Sequence, residues 1–258
     1  SKAYRVDMTS GIQVYTGADT LRTGPEGRDG SVWFYTPTQA VHLVNDVWLG
    51  YGKADGFLDG TVVGMDRSAD GAIWAIGTHK GQGAAALYRS GRWQVFTEAD
   101  GVIDDPTSLM PTREGSLWVM GTHGGKGAVC HFGLGDGGEA QWQRVTSVFQ
   151  GWRVRTSYEA SDGTLWFGDQ LAEDNANQGT GLYRYDPAEQ TWMNFGEADG
   201  FVASNPRRGT QDGLISGLAE WPTGTLWVGA AWGMYRIDLA GLPEKRTFFQ
   251  RSADAFEI

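Results

Sequence analysis

Cysteine is almost absent from this chain of 258 residues, which contains only Cys130. A single cysteine excludes an intramolecular disulfide, and it also excludes a C-x-x-C metal or redox motif. No apolar run approaches the ~18 residues that a membrane-spanning helix needs. The first ten residues, SKAYRVDMTS, lack the apolar core of a signal peptide. We therefore expect no membrane insertion by this segment, and we interpret Ser1 as a product of processing or cloning.

Positive charge is also scarce. The chain has 21 Lys and Arg residues against 31 Asp and Glu, which gives a formal net charge of −10. Its best basic run is the pair Arg207-Arg208. Because the phosphate backbone requires a basic face on the protein, nucleic acid is not expected as a partner.

Helical periodicity is missing as well, whereas glycine and tryptophan are abundant. The chain contains 39 glycines and 12 tryptophans but only 8 prolines. Glycine occupies the positive-φ positions of tight turns, and short runs of β-branched and aromatic residues between turns are typical of strands. The composition therefore favours a turn-rich all-β protein.

A turn of the Asp-Gly type followed by tryptophan occurs five times. The copies are DGSVW (29–33), DGAIW (70–74), EGSLW (114–118), DGTLW (162–166) and TGTLW (223–227). The spacings between their tryptophans are 41, 44, 48 and 61 residues. This is the length of a four-stranded propeller blade with loops of increasing size.

Each copy predicts four strands, which we term A to D in chain order. Strand B carries the tryptophan, strand C a motif such as GLYRYD (181–186), and strand D an aromatic start such as RWQVF (92–96). Strand A has a small residue ten positions before each tryptophan, which predicts a crowded inner strand: Thr23, Gly64, Ser108, Thr156 and Gly217. The Asp-Gly pairs predict A–B hairpin turns, and the tryptophans are expected in the core or between repeats.

These strands predict one β-propeller domain over residues 1–258, with four-stranded antiparallel blades. We expect a half-unit of C and D strands at 1–16, followed by five full repeats at approximately 17–51, 52–97, 98–146, 147–196 and 197–250. The half-unit leaves the number of blades in the native ring at five to seven.

The pattern D-G-x-[IL]-W-[IVF]-G-T followed by G-L-Y-R-Y-D resembles the two-component regulator propeller repeat. The best copies are DGTLWFG with GLYRYDP (162–168, 181–187) and TGTLWVG with GMYRID (223–229, 233–238). The resemblance implies a periplasmic or extracellular sensor propeller of a bacterial receptor, which binds a ligand or transmits assembly in signal transduction. It implies no shared catalytic constellation.

The B–C and D–A loops lie at the same end of the predicted blades, because strand direction alternates. These loops are rich in charged and aromatic side chains, and loops of a rigid scaffold often carry function. We predict ligand-binding residues in them: His79, His123, Trp152, Arg153, Arg155, Asp169, Arg207, Arg208 and Trp232. Their chemistry suits a carbohydrate or an anionic small molecule, and another protein domain is the alternative partner.

Two observations raise the question of a metal. His79 and His123 each lie five residues after their tryptophan, but a zinc site needs three or four converging ligands. The loop LAEDNANQGTG (171–181) offers oxygen ligands that suit calcium, although it lacks the calcium-loop pattern: Glu173, Asp174 and Asn175. We predict no metal and no cofactor, with calcium at this loop as the alternative.

Two classes of function stay open. The first is a non-catalytic ligand-binding or interaction propeller, the extracytoplasmic sensor part of a bacterial receptor or two-component regulator. The second is a propeller enzyme, a lyase or metal-dependent hydrolase, with its site on the B–C and D–A loops. The sequence contains neither G-x-S-x-G nor G-x-x-x-x-G-K-[ST], so we predict no catalytic residue.

Overall fold

The computed structural model describes residues 2–7, 11–16, 20–134, 139–170, 181–195, 199, 214–230 and 233–242, with backbone only for 2–7, 11–16 and Leu134. Within these ranges the regular elements are 21 β-strands and three short 3-10 turns, Lys53–Asp55, Glu98–Asp100 and Leu239–Gly241. None of the helical turns in this part of the chain could cross a bilayer.

The first two strands form a sheet of their own. Strand β1 (Lys2–Asp7) pairs antiparallel with β2 (Gly11–Thr16), and Lys2 lies opposite Thr16. This pair is the C–D half-unit that the sequence predicts.

Four sheets of four strands follow, and in each sheet the strands are neighbours in chain order. The first contains β3 (Arg22–Glu26), β4 (Val32–Tyr35), β5 (Ala40–Val44) and β6 (Val47–Tyr51). The second contains β7 (Val62–Arg67), β8 (Ile73–His79), β9 (Gln82–Arg89) and β10 (Arg92–Thr97). The third contains β11 (Asp105–Pro111), β12 (Leu117–His123), β13 (Lys126–Leu134) and β14 (Ala140–Val145). The fourth contains β15 (Arg153–Glu159), β16 (Leu165–Gln170), β17 (Leu182–Asp186) and β18 (Thr191–Phe195).

The fifth repeat is described through three strands. These are β19 (Ile215–Glu220), β20 (Thr225–Ala230) and β21 (Gly233–Asp238). The predicted D strand at 246–249 lies outside the described residues. The predicted all-β fold, with four-stranded antiparallel blades in the order A to D, is confirmed.

The chain divides into two compact units. The first consists of Ser1–Trp118 with His131–Gln143, and the second of Val119–Cys130 with Arg144–Ile258. The core of the first unit includes Trp33, Phe57, Leu58, Ile73 and Trp93. The core of the second includes Trp166, Phe195, Leu226, Val228 and Tyr235.

The repeated tryptophans are core residues, as predicted. Trp33, Trp74, Trp118 and Trp166 are between 0% and 3% exposed, while Trp227 is half-buried. In the first unit, Trp33 packs edge-on against Trp93 at 5.9 Å and 88°. Trp74 packs in the same way against Trp142, again at 5.9 Å and 88°. Each of these strand B tryptophans therefore contacts the strand D tryptophan of the next repeat, which explains why the pattern recurs.

The Asp-Gly pairs form the A–B turns. Their glycines have φ between 77° and 97°, the left-handed region that glycine enters without strain: Gly30, Gly71, Gly115, Gly163 and Gly224. In three turns the aspartate accepts the backbone N–H two residues later, at 3.1 Å for Asp29, 3.2 Å for Asp70 and 3.0 Å for Asp162. This is the local bond that makes aspartate a turn residue.

Strand A contains an irregularity that the sequence did not predict. A register shift occurs between Val62 and Gly64, between Val154 and Thr156, and between Ile215 and Gly217. One extra residue in the strand produces a bulge that re-aims side chains and increases the local twist. The small residues of strand A end this bulge in the second, fourth and fifth repeats. Within each unit the A strands of adjacent repeats contact each other, β3 and β11 with β7, and β15 with β19.

Gly77 in β8 provides a test of this packing. A Cβ there would lie 2.0 Å from the carbonyl oxygen of Thr61 and 3.0 Å from Cα of Val62, both of them backbone atoms. We expect Gly77→Ala to lower the free energy of unfolding by about 3 kcal/mol, because the backbone must shift to admit the methyl group. Urea unfolding followed by far-UV circular dichroism measures the change.

The matched control is Gly217→Ala in β19, where an added Cβ meets nothing within 4 Å. We expect a change within about 0.5 kcal/mol there. Equal losses in the two variants would contradict the steric explanation.

Candidate functional site

The predicted site residue in the first unit, His79, ends β8 beside Asp59. Its Nδ1 atom lies 3.3 Å from Asp59 Oδ1, and Lys53 Nζ lies 3.4 Å from Asp59 Oδ2. The backbone N–H of Lys80 donates to Asp59 Oδ1 at 2.6 Å. This N–H is the main cause that lowers the pKa of Asp59, with smaller contributions from His79 and Lys53. His79 therefore belongs to a contact that joins the B–C loop to the D–A loop.

In the second unit the structure brings two predicted residues, Trp152 and Arg153, together at Thr122, and a third, His123, directly follows Thr122 in β12. The Arg153 guanidinium carbon lies 4.3 Å from the centroid of the Trp152 ring, a cation–π contact. Arg153 Nε donates to Thr122 Oγ1 at 3.4 Å, and this hydroxyl donates to the carbonyl oxygen of Trp152 at 3.2 Å. Arg153 is therefore held by a ring on one side and a hydroxyl on the other.

His123 contacts a second arginine, Arg144, on β14. Arg144 Nη1 lies 3.2 Å from His123 Nε2. A guanidinium only donates hydrogen bonds, so Nε2 is the acceptor in this contact. We call Thr122, His123, Arg144, Trp152 and Arg153 the Arg144–Arg153 cluster.

Arg155 and Asp169 lie on the neighbouring strands β15 and β16 but differ in exposure. Arg155 is the bulge residue of β15; it is exposed, and its Nη1 donates to Gln170 Oε1 at 3.4 Å. Asp169 is fully buried, and its Oδ2 accepts the N–H of Gly151 at 2.8 Å. Burial raises the pKa of Asp169 to about 6, although hydrogen bonds from Gly151, Tyr183 and Gln150 lower it. The buried Asp169 carboxylate therefore holds the loop before Trp152 through its hydrogen bond with Gly151.

Six further predicted residues lie outside the described residues: Arg207, Arg208 and Trp232 of the loop set, and Glu173, Asp174 and Asn175 of the calcium alternative. Among the residues that the structure describes, no group of three His, Cys, Asp or Glu side chains is placed to hold a metal ion.

A cleft that sequence reasoning missed lies in the first unit, at the opposite end of the strands. Its volume is about 330 Å³, and it is bounded by the A–B turns of the first and second repeats and by the C–D turn of the second. Its walls include Asp29, Trp33, His42, Tyr88 and Arg89. We call it the turn cleft. The sequence predicts only hairpin turns at this end, because Asp-Gly is a turn signal.

Two arginines that line the turn cleft are held in place by the A–B turn of the second repeat. The Arg28 guanidinium of the first repeat donates to the carbonyl oxygen of Ala69, and Arg89 forms an ion pair with Asp70 within the second repeat. One sequence signal could have revealed the cleft. The residue opposite the strand B tryptophan is His42 in the first repeat, but Leu87, Arg184 and Arg236 in the second, fourth and fifth.

Four-stranded antiparallel blades repeated along the chain define the β-propeller class, and solved structures agree with this assignment. No family model matches the chain, and no curated protein matches it. The extracellular domain of a protein assigned to the hybrid two-component systems of B. thetaiotaomicron superposes with a TM-score of 0.59 at 13% identity, over 97% of this chain and 36% of that one. The chain thus spans about a third of that domain.

Two further solved structures are similar. The structure of streptogramin B lyase has a TM-score of 0.56 at 15% identity, over 89% of this chain and 69% of that one. YCF48 bound to D1 peptide has a TM-score of 0.56 at 16% identity, over 95% of this chain and 73% of that one. Because these identities are low, the three comparisons support the propeller fold, which hosts unrelated functions.

Proposed function

We propose that the chain is a non-catalytic ligand-binding propeller, the extracytoplasmic sensor part of a bacterial receptor, and that it binds a small carboxylate at the Arg144–Arg153 cluster. The observation that carries the proposal is that two arginines are held by adjacent residues, Arg153 by Thr122 and Arg144 by His123, in a chain of net charge −10.

The orientation of Arg153 is the first argument. A guanidinium has five N–H donors, and its planar fork matches the two oxygens of a carboxylate. The Trp152 ring and Thr122 Oγ1 both constrain this fork. An arginine that is already oriented loses less side-chain entropy on binding.

Charge is the second argument. The cluster carries two arginines and contains no carboxylate. Opposite charge favours an anion at this position, while the net negative charge of the whole chain disfavours large polyanions. A small carboxylate fits both conditions.

The comparisons support a sensor role only through the fold that this chain shares with an extracellular domain of two-component type. The enzyme alternative is supported in the same way, because this chain also shares its fold with streptogramin B lyase. We favour binding because the Arg144–Arg153 cluster consists mainly of donors and an aromatic ring, and its one possible general acid or base, His123, is engaged by Arg144. The alternative of a protein partner is supported by YCF48, which has a similar fold and was solved with a bound D1 peptide.

Isothermal titration calorimetry with succinate and citrate tests the proposal, with uncharged succinamide for comparison. We expect both anions to bind saturably, succinamide not to bind, and Arg153→Gln to weaken binding about 10- to 100-fold, the usual effect of losing a charged hydrogen bond. Added salt should weaken binding as well.

The control variant is Arg92→Gln, which removes an equal charge from an exposed position at the start of β10. It should bind the anions as the parent protein does. No binding of either anion, or equal binding by the parent and Arg153→Gln, would contradict the proposed function.

A further inference from the structure

The turn cleft is independent of the Arg144–Arg153 cluster and has the size of a ligand site. Its volume of about 330 Å³ lies at the lower end of the range for small-molecule pockets, which begins near 300 Å³. It can therefore hold one small molecule. Tyr88 and Ile73 provide apolar surface, and Asp29, Ser31 and His42 provide polar groups.

His42 is the unusual member of this wall. It is 9% exposed, and its ring stacks on Trp33 at 4.1 Å and 8°. Neither of its ring nitrogens has a hydrogen-bond partner among the described residues. A buried polar group without a partner costs free energy, so each such group in a folded protein calls for an explanation.

The third repeat shows that the stacked histidine itself is not the anomaly. His131 stacks on Trp118 at 4.5 Å and 19°, and it hydrogen-bonds Gln143. In the fourth repeat the residue opposite the tryptophan is Arg184, which pairs with Asp186 at 3.2 Å. His42 has no such protein partner, and it lines a cleft.

Asp29 supplies the second polar group. Its Oδ1 atom accepts from Ser31 N at 3.1 Å and from Ser31 Oγ at 2.6 Å, which completes the A–B turn. Asp29 is an exposed residue, so its carboxylate is accessible to a ligand. The charge of Asp29 raises the pKa of His42, although burial outweighs it and lowers that pKa. The carboxylate and a neutral imidazole are thus close enough to interact.

The same position between the fourth and fifth repeats is closed by protein. There the Glu220 carboxylate accepts from the backbone N–H of Ser161 at 2.7 Å and from the Ser161 hydroxyl. The two A–B turns are therefore joined directly in the second unit. Between the first and second repeats, the long Arg28 side chain reaches the carbonyl oxygen of Ala69, and the turn cleft lies between the two A–B turns.

The unused groups define what a ligand must offer. A neutral imidazole has one donor and one acceptor nitrogen, and a carboxylate only accepts. An ammonium group cannot accept from the imidazole N–H, and a carboxylate ligand cannot donate to Asp29. A hydroxyl group donates and accepts, so adjacent hydroxyls can satisfy both residues, while the C–H face of a ring can pack on Tyr88.

We propose that the turn cleft binds a small neutral polyhydroxylated molecule of pyranose size, with hydroxyl groups on His42 and Asp29. Arg28 and Arg89 line the cleft and are held by Ala69 and Asp70 of the second A–B turn. This site is separate from the proposed carboxylate site, and neither depends on the other.

NMR of the four histidine rings tests the proposal on the full chain. We would record long-range ¹H–¹⁵N spectra of ¹⁵N-histidine-labelled protein while adding D-glucose, D-galactose or myo-inositol, with assignments from single His→Asn variants. At least one polyol should shift the His42 ring nitrogens saturably and leave those of His131 in place. Arg153→Gln should not change this result, which separates it from the carboxylate test.

Asp29→Asn keeps an oxygen for the Ser31 turn bonds and turns the second acceptor into a donor. It should weaken polyol binding about tenfold, the effect of one hydrogen bond. The matched control is Asp162→Asn, the same turn position in the fourth repeat, which should leave binding unchanged. The proposal would be overturned if none of the three polyols gave a saturable shift of His42, or if His42 and His131 shifted equally. Equal weakening of binding by the two Asp variants would also overturn it.

Discussion

Replacing Trp166 by alanine is expected to lower the free energy of unfolding by about 4 kcal/mol, the usual cost of removing a large buried aromatic side chain. Trp166 is fully buried and packs against Phe195 at 5.2 Å. Its Nε1 donates to Thr164 Oγ1 at 3.0 Å, and this hydroxyl donates to Asp162 at 2.7 Å. The substitution therefore creates a cavity and also removes a link to the A–B turn. Urea unfolding followed by far-UV circular dichroism measures the loss.

The matched control is Trp227→Ala, the same position in the fifth repeat. Trp227 is only half-buried, so less apolar surface is exposed when its ring is removed, and we expect a loss of about 2 kcal/mol. A loss at Trp227 equal to the loss at Trp166 would contradict the link between burial and stability in the repeated pattern.

The stability of the protein is expected to fall between about pH 4 and pH 6 because of Asp169. Its pKa is about 6 in the folded protein, against 3.8 for an ordinary aspartate, and burial is the main cause. In this window the folded state binds more protons than the unfolded state, so raising the pH favours unfolding. The stabilisation is complete below pH 3.8 and is lost as the pH passes 6. The shift corresponds to about 3 kcal/mol.

Asp169→Asn removes this titration while keeping an oxygen that can accept the Gly151 N–H. We therefore expect the unfolding free energy of the variant, minus that of the parent, to increase as the pH is raised through this range. Urea titrations at each pH measure this difference. Near neutral pH we expect the variant to be more stable than the parent. Glu189→Gln, at an exposed site, should show no such trend. A constant difference between Asp169→Asn and the parent across the range would rule out this role for Asp169.

Much of the fold could be predicted because its signals are local and repeated. The Asp-Gly turn needs only a glycine with positive φ and an aspartate that accepts the N–H two residues later. The tryptophan that follows the turn identifies a buried strand, and this pattern occurs five times in the chain. The strand order and the C–D half-unit could be predicted by comparing the five copies, because a strand that is unclear in one copy is clear in another.

The candidate sites could be predicted only in part. Charged and aromatic residues in the B–C and D–A loops led to Trp152 and Arg153, which the structure brings together at Thr122, and to His123, which contacts Arg144. Thr122 and Arg144 were missed because nothing in their sequence neighbourhood marks them as partners of loop residues. Asp169 was placed with the loop residues, yet it is fully buried, since its surroundings come from a loop and a strand distant in the chain.

The sequence by itself determined the class of fold, the order of the strands, the turns and the burial of most of the repeated tryptophans, because each depends on neighbouring residues and on a repeated pattern. Tertiary structure alone decided the bulge at Arg155, the contact of His123 with Arg144, the raised pKa of Asp169 and the turn cleft around His42. The physical reason is that these features depend on atoms that are distant in the sequence. Their distances and their shielding from water are set only when the strands pack.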